Sequence, residues 1–102
     1  MARNERVCGI YCIENLVNNK KYIGQSISIY DRWNQHRSEL RNNQHENEHL
    51  QNAWNKYAEE SFSFYVLEEC DVEDLDDKEK YYMCLFDVEN RDFGYNIAPG
   101  GG

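Results

Sequence analysis

The chain has 102 residues, is 40% hydrophobic and 14% aromatic, and contains one proline. It is long enough for a single domain spanning residues 1–102 with a radius of gyration near ~13 Å, and this composition argues against a long disordered tail. A net charge of −8 excludes the whole-surface basic footprint that strong non-specific nucleic-acid binding requires.

Over residues 7–13 the side chains alternate, with Val7, Gly9, Tyr11 and Ile13 on one face and Cys8, Ile10 and Cys12 on the other, which predicts a strand. Residues 15–19 supply turn chemistry, and residues 20–24 return as a second strand. The hairpin would bring Gly9-Ile10-Tyr11 beside Tyr22-Ile23-Gly24, two phenols and two bare backbone positions in one place. Ile29, Tyr30, Trp33 and Leu40 recur at helical spacing within residues 28–41. Leu50, Ala53, Trp54, Tyr57 and Ala58 do so within residues 47–58. Residues 61–67 alternate again through Phe62, Phe64 and Val66. Asp71 is placed to cap a third helix that runs to about Phe86, with acids crowded into its first turns. The expected fold class is α/β (α+β): a small three-stranded antiparallel sheet flanked by three helices, in the order β-β-α-α-β-α. Residues 87–102 read as irregular, with the glycine-rich end at 98–102 as the start of a linker.

Several residues break the local pattern. On the third helix Glu79 falls within the stripe of Leu75, Tyr82, Met83 and Phe86, whereas Glu73, Asp74, Asp76, Asp77 and Asp87 point away. A carboxylate on an apolar face needs a partner, so Glu79 is either half of an ion pair or a metal ligand. Arg32 and His36 are four apart and share one face of the first helix, flanking Trp33, which by itself describes solvated surface. Together these types have a chemical meaning. Arginine offers a planar fork to a phosphate, glutamate holds a hard cation, and a phenol or imidazole moves a proton.

His45 and His49 also stand four apart, but no cysteine or third acid has ligand-like spacing, which disfavours zinc. Asn96, a polar residue between two apolar ones, reads as an amide that fixes the tail. The four cysteines, Cys8, Cys12, Cys70 and Cys84, lack any Cys-x-x-Cys spacing and read as buried reduced thiols. No apolar run approaches a membrane span and the N-terminus lacks a signal-peptide stretch, so a cytoplasmic location is the expectation. Charge is uneven: residues 1–56 carry eight Lys/Arg against six Asp/Glu, and residues 57–102 carry three against thirteen. The first half can therefore meet a phosphate while the second presents an acidic face.

Taken together, these positions resemble the GIY-YIG nuclease family, and the resemblance covers nearly the whole chain. It rests on both tripeptides, Asp31-Arg32-Trp33 with His36, His45, Asn55-Lys56-Tyr57, Glu79 in Lys78-Glu79-Lys80-Tyr81-Tyr82, and Gly94-Tyr95-Asn96-Ile97. The likeness is greatest to the catalytic domain of phage and intron-encoded homing endonucleases. It implies hydrolysis of a phosphodiester in double-stranded DNA with one divalent ion, Mg²⁺ or Mn²⁺, bound by Glu79. In that scheme Arg32 holds the scissile phosphate and Tyr11 is the general base. Tyr22 and His36 position water or share the proton work, with Lys21, Gly24, His45 and Asn96 in support.

A free tyrosine near pKa ~10 costs about 4 kcal/mol to ionise at pH 7, so nearby cations, Lys21 and Arg32 among them, would have to assist. Many relatives place a glycine after the Asn-Lys-Tyr element where this chain has Ala58-Glu59-Glu60, which bears on the loop before the third strand. They also continue into a separate DNA-binding domain, so this chain is expected to be a catalytic module, monomeric, whose targeting part is separate or missing. The competing expectations are a nucleic-acid-binding module of the same fold without turnover, a restriction- or repair-type nuclease domain, and a structural or redox protein using its thiols.

Overall fold

The computed structural model describes residues 6–97, so the glycine-rich end at 98–102 lies outside the described residues. The strands are β1 (Gly9–Asn15), β2 (Lys21–Ser26) and β3 (Phe62–Glu69), and the helices are α1 (Ile29–Arg41), α2 (Glu48–Tyr57) and α3 (Leu75–Phe86). The order is the expected β-β-α-α-β-α, and the radius of gyration is 13.4 Å. Asp71 does not cap α3 as expected. It precedes a short 3₁₀ turn, Val72–Asp74, and the α-helix proper begins at Leu75.

The sheet is antiparallel with strand order β2-β1-β3. Because β1 lies at the centre, its period-2 alternation feeds two cores at once. Tyr11 and Ile13 pack against Ile29, Trp33 and Leu40 of α1 and Leu50 and Trp54 of α2. Ile10 and Cys12 face the other way, onto Ile23, Leu75 and Val88 on the α3 side. The register shifts opposite β3 between Ile10 and Tyr11, a bulge, and a Cβ on Gly9 would run into the Glu68 backbone there.

β2 is an edge strand, and the segment after α3 covers it. Gly94 forms a parallel bridge to Lys21, with Lys21 N–H donating to Phe93 O (3.2 Å) and Tyr95 N–H to Lys21 O (2.9 Å). The Asn96 amide continues this ladder through its side chain, accepting from Ile23 N–H at 2.8 Å and donating to Ile23 O at 2.9 Å. An otherwise open edge is thereby paired. Asn96 thus does what a tail-fixing amide should.

The cysteines are free, and Cys12 is buried, with burial pushing its thiol up to about 11. Cys84 is exposed and Cys8 and Cys70 are half-buried, so the expectation of four buried thiols holds for Cys12 alone. Among the described residues no helix is long and apolar enough to cross a membrane.

Candidate active site

The register of the hairpin sets the geometry. Tyr11 pairs with Gly24 and Ile13 with Tyr22, so both tyrosines leave the same face of the sheet. The Tyr11 ring crosses directly over Gly24, where any Cβ would collide with its Cζ and Oη. Glycine is required there by close approach, which explains why the second tripeptide ends on it.

Tyr11 is 1% exposed and its hydroxyl lies 2.7 Å from His36 Nε2. His36 is fully buried, in contrast to the exposed surface that its spacing with Arg32 suggested. It lies on the inward line Ile29, Trp33, His36, Leu40 of α1, spacing that was present in the sequence and that a polar residue concealed. Its Nδ1 lies 2.8 Å from His45 Nε2, and the two rings stack at 5.0 Å between centroids. The Tyr22 ring stands edge-on to both, 5.6 Å from His36 and 6.4 Å from His45.

His45 precedes α2 instead of standing in it, so it does not share a helical face with His49, whose ring packs on Tyr95. The loop that carries His45 is built from amides. Its N–H donates to Gln51 Oε1 (3.0 Å), and Gln51 Nε2 donates to Leu40 O (3.0 Å). Asn47 caps α2 by accepting from Leu50 N–H and ties the loop to the tail by donating to Tyr95 O at 2.8 Å. The Tyr95 hydroxyl in turn accepts from the fully buried Asn15. Asn15, Asn47, Gln51 and Tyr95 were not among the expected site residues. The cap position of Asn47, three residues before Leu50, was the one signal that pointed to any of them.

Burial sets the ionisation of this cluster. It raises the Tyr11 pKa well above that of a free phenol, with Tyr22 adding to the rise and Arg32 opposing it. It raises Tyr22 likewise, again against Arg32. His36 is held down to about 3 by burial, then by Arg32 and His45. Burial also lowers His45, against the pull of Glu39. Glu79 acts on both phenols as well, so Arg32 and Glu79 each lie within electrostatic reach of Tyr11 and Tyr22.

Glu79 reaches this edge from α3 on the opposite layer and is half-buried. No ion pair among the described residues engages it. It accepts from Gln25 Nε2 at 2.9 Å, and Asp76 Oδ1 accepts from the same nitrogen at 2.8 Å. Asp76 therefore does not point away as the helical wheel implied. Gln25, which links the two carboxylates to β2, was not anticipated. Lys21 lies apart from the phenols. It alternates to the α3 face, where Nζ stands 3.6 Å from Glu14 and over the Phe86 ring. His36, Glu39 and His45 bring three potential ligand atoms within 4.8 Å of one another.

The family profile described as the GIY-YIG catalytic domain matches residues 7–92. The chain is 33% identical over 90 residues to intron-associated endonuclease 1 of enterobacteria phage T4, an alignment covering 88% of this chain but 36% of that protein. It therefore spans about a third of that relative's length. Among solved structures it is similar to the catalytic domain of the homing endonuclease I-TevI, with a TM-score of 0.82 and 30% identity over 89% of this chain and 98% of that one. A point variant of the same catalytic domain matches with the same score and identity, over 90% of this chain and 94% of that one. With the matched residues spanning most of the chain and its three-layer fold shared, the protein belongs to the GIY-YIG catalytic-domain family.

Proposed function

We propose that this domain is a divalent-metal-dependent endonuclease that hydrolyses phosphodiester bonds of double-stranded DNA, as the catalytic module of a homing endonuclease. The observation that carries this reading is the Tyr11 hydroxyl. It is buried against Gly24, hydrogen-bonded to His36 and within reach of Arg32, at a place shared with Glu79. Arg32 makes no salt bridge among the described residues, which leaves its guanidinium available to a phosphate.

The carboxylates at the β2 edge suit a hard cation. Glu79 and Asp76 offer carboxylate oxygens brought close together by the shared Gln25 amide, the ligand type that a hard cation such as Mg²⁺ takes. Glu79 would hold the ion, which when bound supplies positive charge to stabilise the phosphate oxygens and lower the pKa of nearby acids. Tyr11, once its own proton has been lost to solvent, would accept as the phenolate a proton from the attacking water, with its oxygen steadied by His36, and Arg32 would bind and orient the scissile phosphate. Tyr22 walls the cleft and keeps bulk water from His36. Burial makes the Tyr11 phenol harder to ionise than a free one, so this step depends on the positive charge of Arg32 and of the ion.

Supercoiled plasmid incubated with micromolar protein and Mg²⁺ or Mn²⁺ should be nicked, and chelation should stop it. Arg32→Ala and Glu79→Ala should each lower the nicking rate at least about 100-fold while keeping the fold by circular dichroism. Folded wild-type protein that binds DNA without nicking it in either metal would establish the binding-module reading in its place.

A further inference from the structure

The contacts around His36 have a direction. The backbone N–H of Asn47 lies 3.0 Å from His45 Nδ1. A backbone amide can only donate, so Nδ1 must present its lone pair, and the neutral ring carries its proton on Nε2. That nitrogen lies 2.8 Å from His36 Nδ1, which must therefore accept. Neutral His36 is then left with its proton on Nε2, 2.7 Å from the Tyr11 oxygen. All three bonds run the same way, from Asn47 N–H through His45 and His36 to Tyr11.

Both rings are suited to the neutral state this requires. Two imidazoles at 2.8 Å with one donor between them cannot both be cationic, and Arg32 adds a further positive charge beside His36. The acids nearest His45 are Glu39, 4.0 Å from Nε2, and Glu46, and neither is close enough to capture the Nε2 proton in place of His36. A metal shared by His36, Glu39 and His45 would have to displace this arrangement. The His45 nitrogen it would need carries the proton, and tetrahedral ligands at ~2.0 Å from zinc stand about 3.3 Å apart, wider than the observed separation.

We propose that Asn47 and His45 are positioning groups that lock His36 as a hydrogen-bond donor to the Tyr11 oxygen. His36 then supports the phenolate form of Tyr11 and is not the base that removes its proton. Once the oxygen accepts from His36, the hydroxyl hydrogen is directed away from the imidazole, toward the cleft. The assignment of Tyr11 as the reacting phenol rests on the function proposed above, whereas the tautomers do not.

Two measurements separate these. Long-range ¹H–¹⁵N correlation spectra of ¹⁵N-labelled wild-type protein at pH 7 should show His36 and His45 both with protonated Nε2 and unprotonated Nδ1. The opposite tautomer at either ring overturns the lock, whether or not the protein cuts DNA. His45→Leu should release His36 into a mixture of tautomers and slow nicking roughly 10-fold or more, with the pH optimum moved upward. His45→Gln, which restores a side-chain N–H donor, should recover most of the rate and the original optimum. A His36 that keeps a single Nε2–H tautomer in His45→Leu, or a Gln variant no better than Leu, would remove the positioning role. Wild-type protein with the expected tautomers and no nicking would refute the nuclease reading alone.

Discussion

His36 is fully enclosed, and burial, Arg32 and His45 hold its pKa at about 3 against 6.5 for a free imidazole. The unfolded chain therefore takes up a proton near pH 6.5 that the folded chain refuses. The stabilisation from keeping this ring neutral is complete above that pH and is lost as the pH falls toward 3, at about 1.4 kcal/mol per unit. Urea unfolding at pH 7 and pH 5 should show the wild type losing about 2 kcal/mol more than His36→Gln over that interval. Equal losses would mean that the ring is solvated or cationic in the fold. The candidate site residues Tyr11, Tyr22, Arg32 and Glu79 could be nominated from the sequence one by one, by type and spacing. What spacing could not say is that His36 points inward, because an imidazole on an apolar line is acceptable only if both nitrogens find partners. Those partners, Tyr11 and His45, come from a strand and a loop distant in the chain.

At the scale of elements, the join between α2 and β3 stores strain. Ala58 adopts φ 76° and ψ 158°, a region that is essentially reserved for glycine and costs a side-chain residue about 1–3 kcal/mol. A glycine here, which the family resemblance leads one to expect, would carry no such cost. Ala58→Gly should stabilise the domain by about 1 kcal/mol and raise its Tm by several degrees, read by thermal unfolding. A lower Tm would show that the loop relaxes differently. The strands and helices themselves were legible from period and composition. Their ends shifted by a few residues where backbone hydrogen bonding took precedence over pattern, as at the 3₁₀ turn Val72–Asp74. The covering of the β2 edge by residues 93–96 was not legible. That segment has no periodicity and is held by two main-chain bonds to Lys21 and a side-chain amide on Ile23.

Over the whole molecule the balance of charge governs how a polyanion is met. With a net charge of −8, concentrated in the second half of the chain, few phosphates can be engaged at once. Binding of a labelled duplex in the presence of chelator, followed by anisotropy, should weaken with salt at a logarithmic slope shallower than about −3. A slope steeper than about −5 would reveal a basic surface that the charge distribution does not suggest. Within this molecule the candidate site draws on both layers of the sheet. Tyr11, Tyr22, Arg32 and His36 stand on the α1–α2 side, and Glu79 reaches the same edge from α3, steadied by Gln25. Local pattern by itself determined the element order, the alternating faces of the first strand and the chemical types of the candidate site residues. Each of these is written in residues close along the chain. The tertiary structure decided which polar groups meet: the His36–His45 pair, the shared amide of Gln25 and the isolation of Lys21 on the far face. Such meetings depend on register and on partners as far as 80 residues away, and no local periodicity encodes a hydrogen bond at that range.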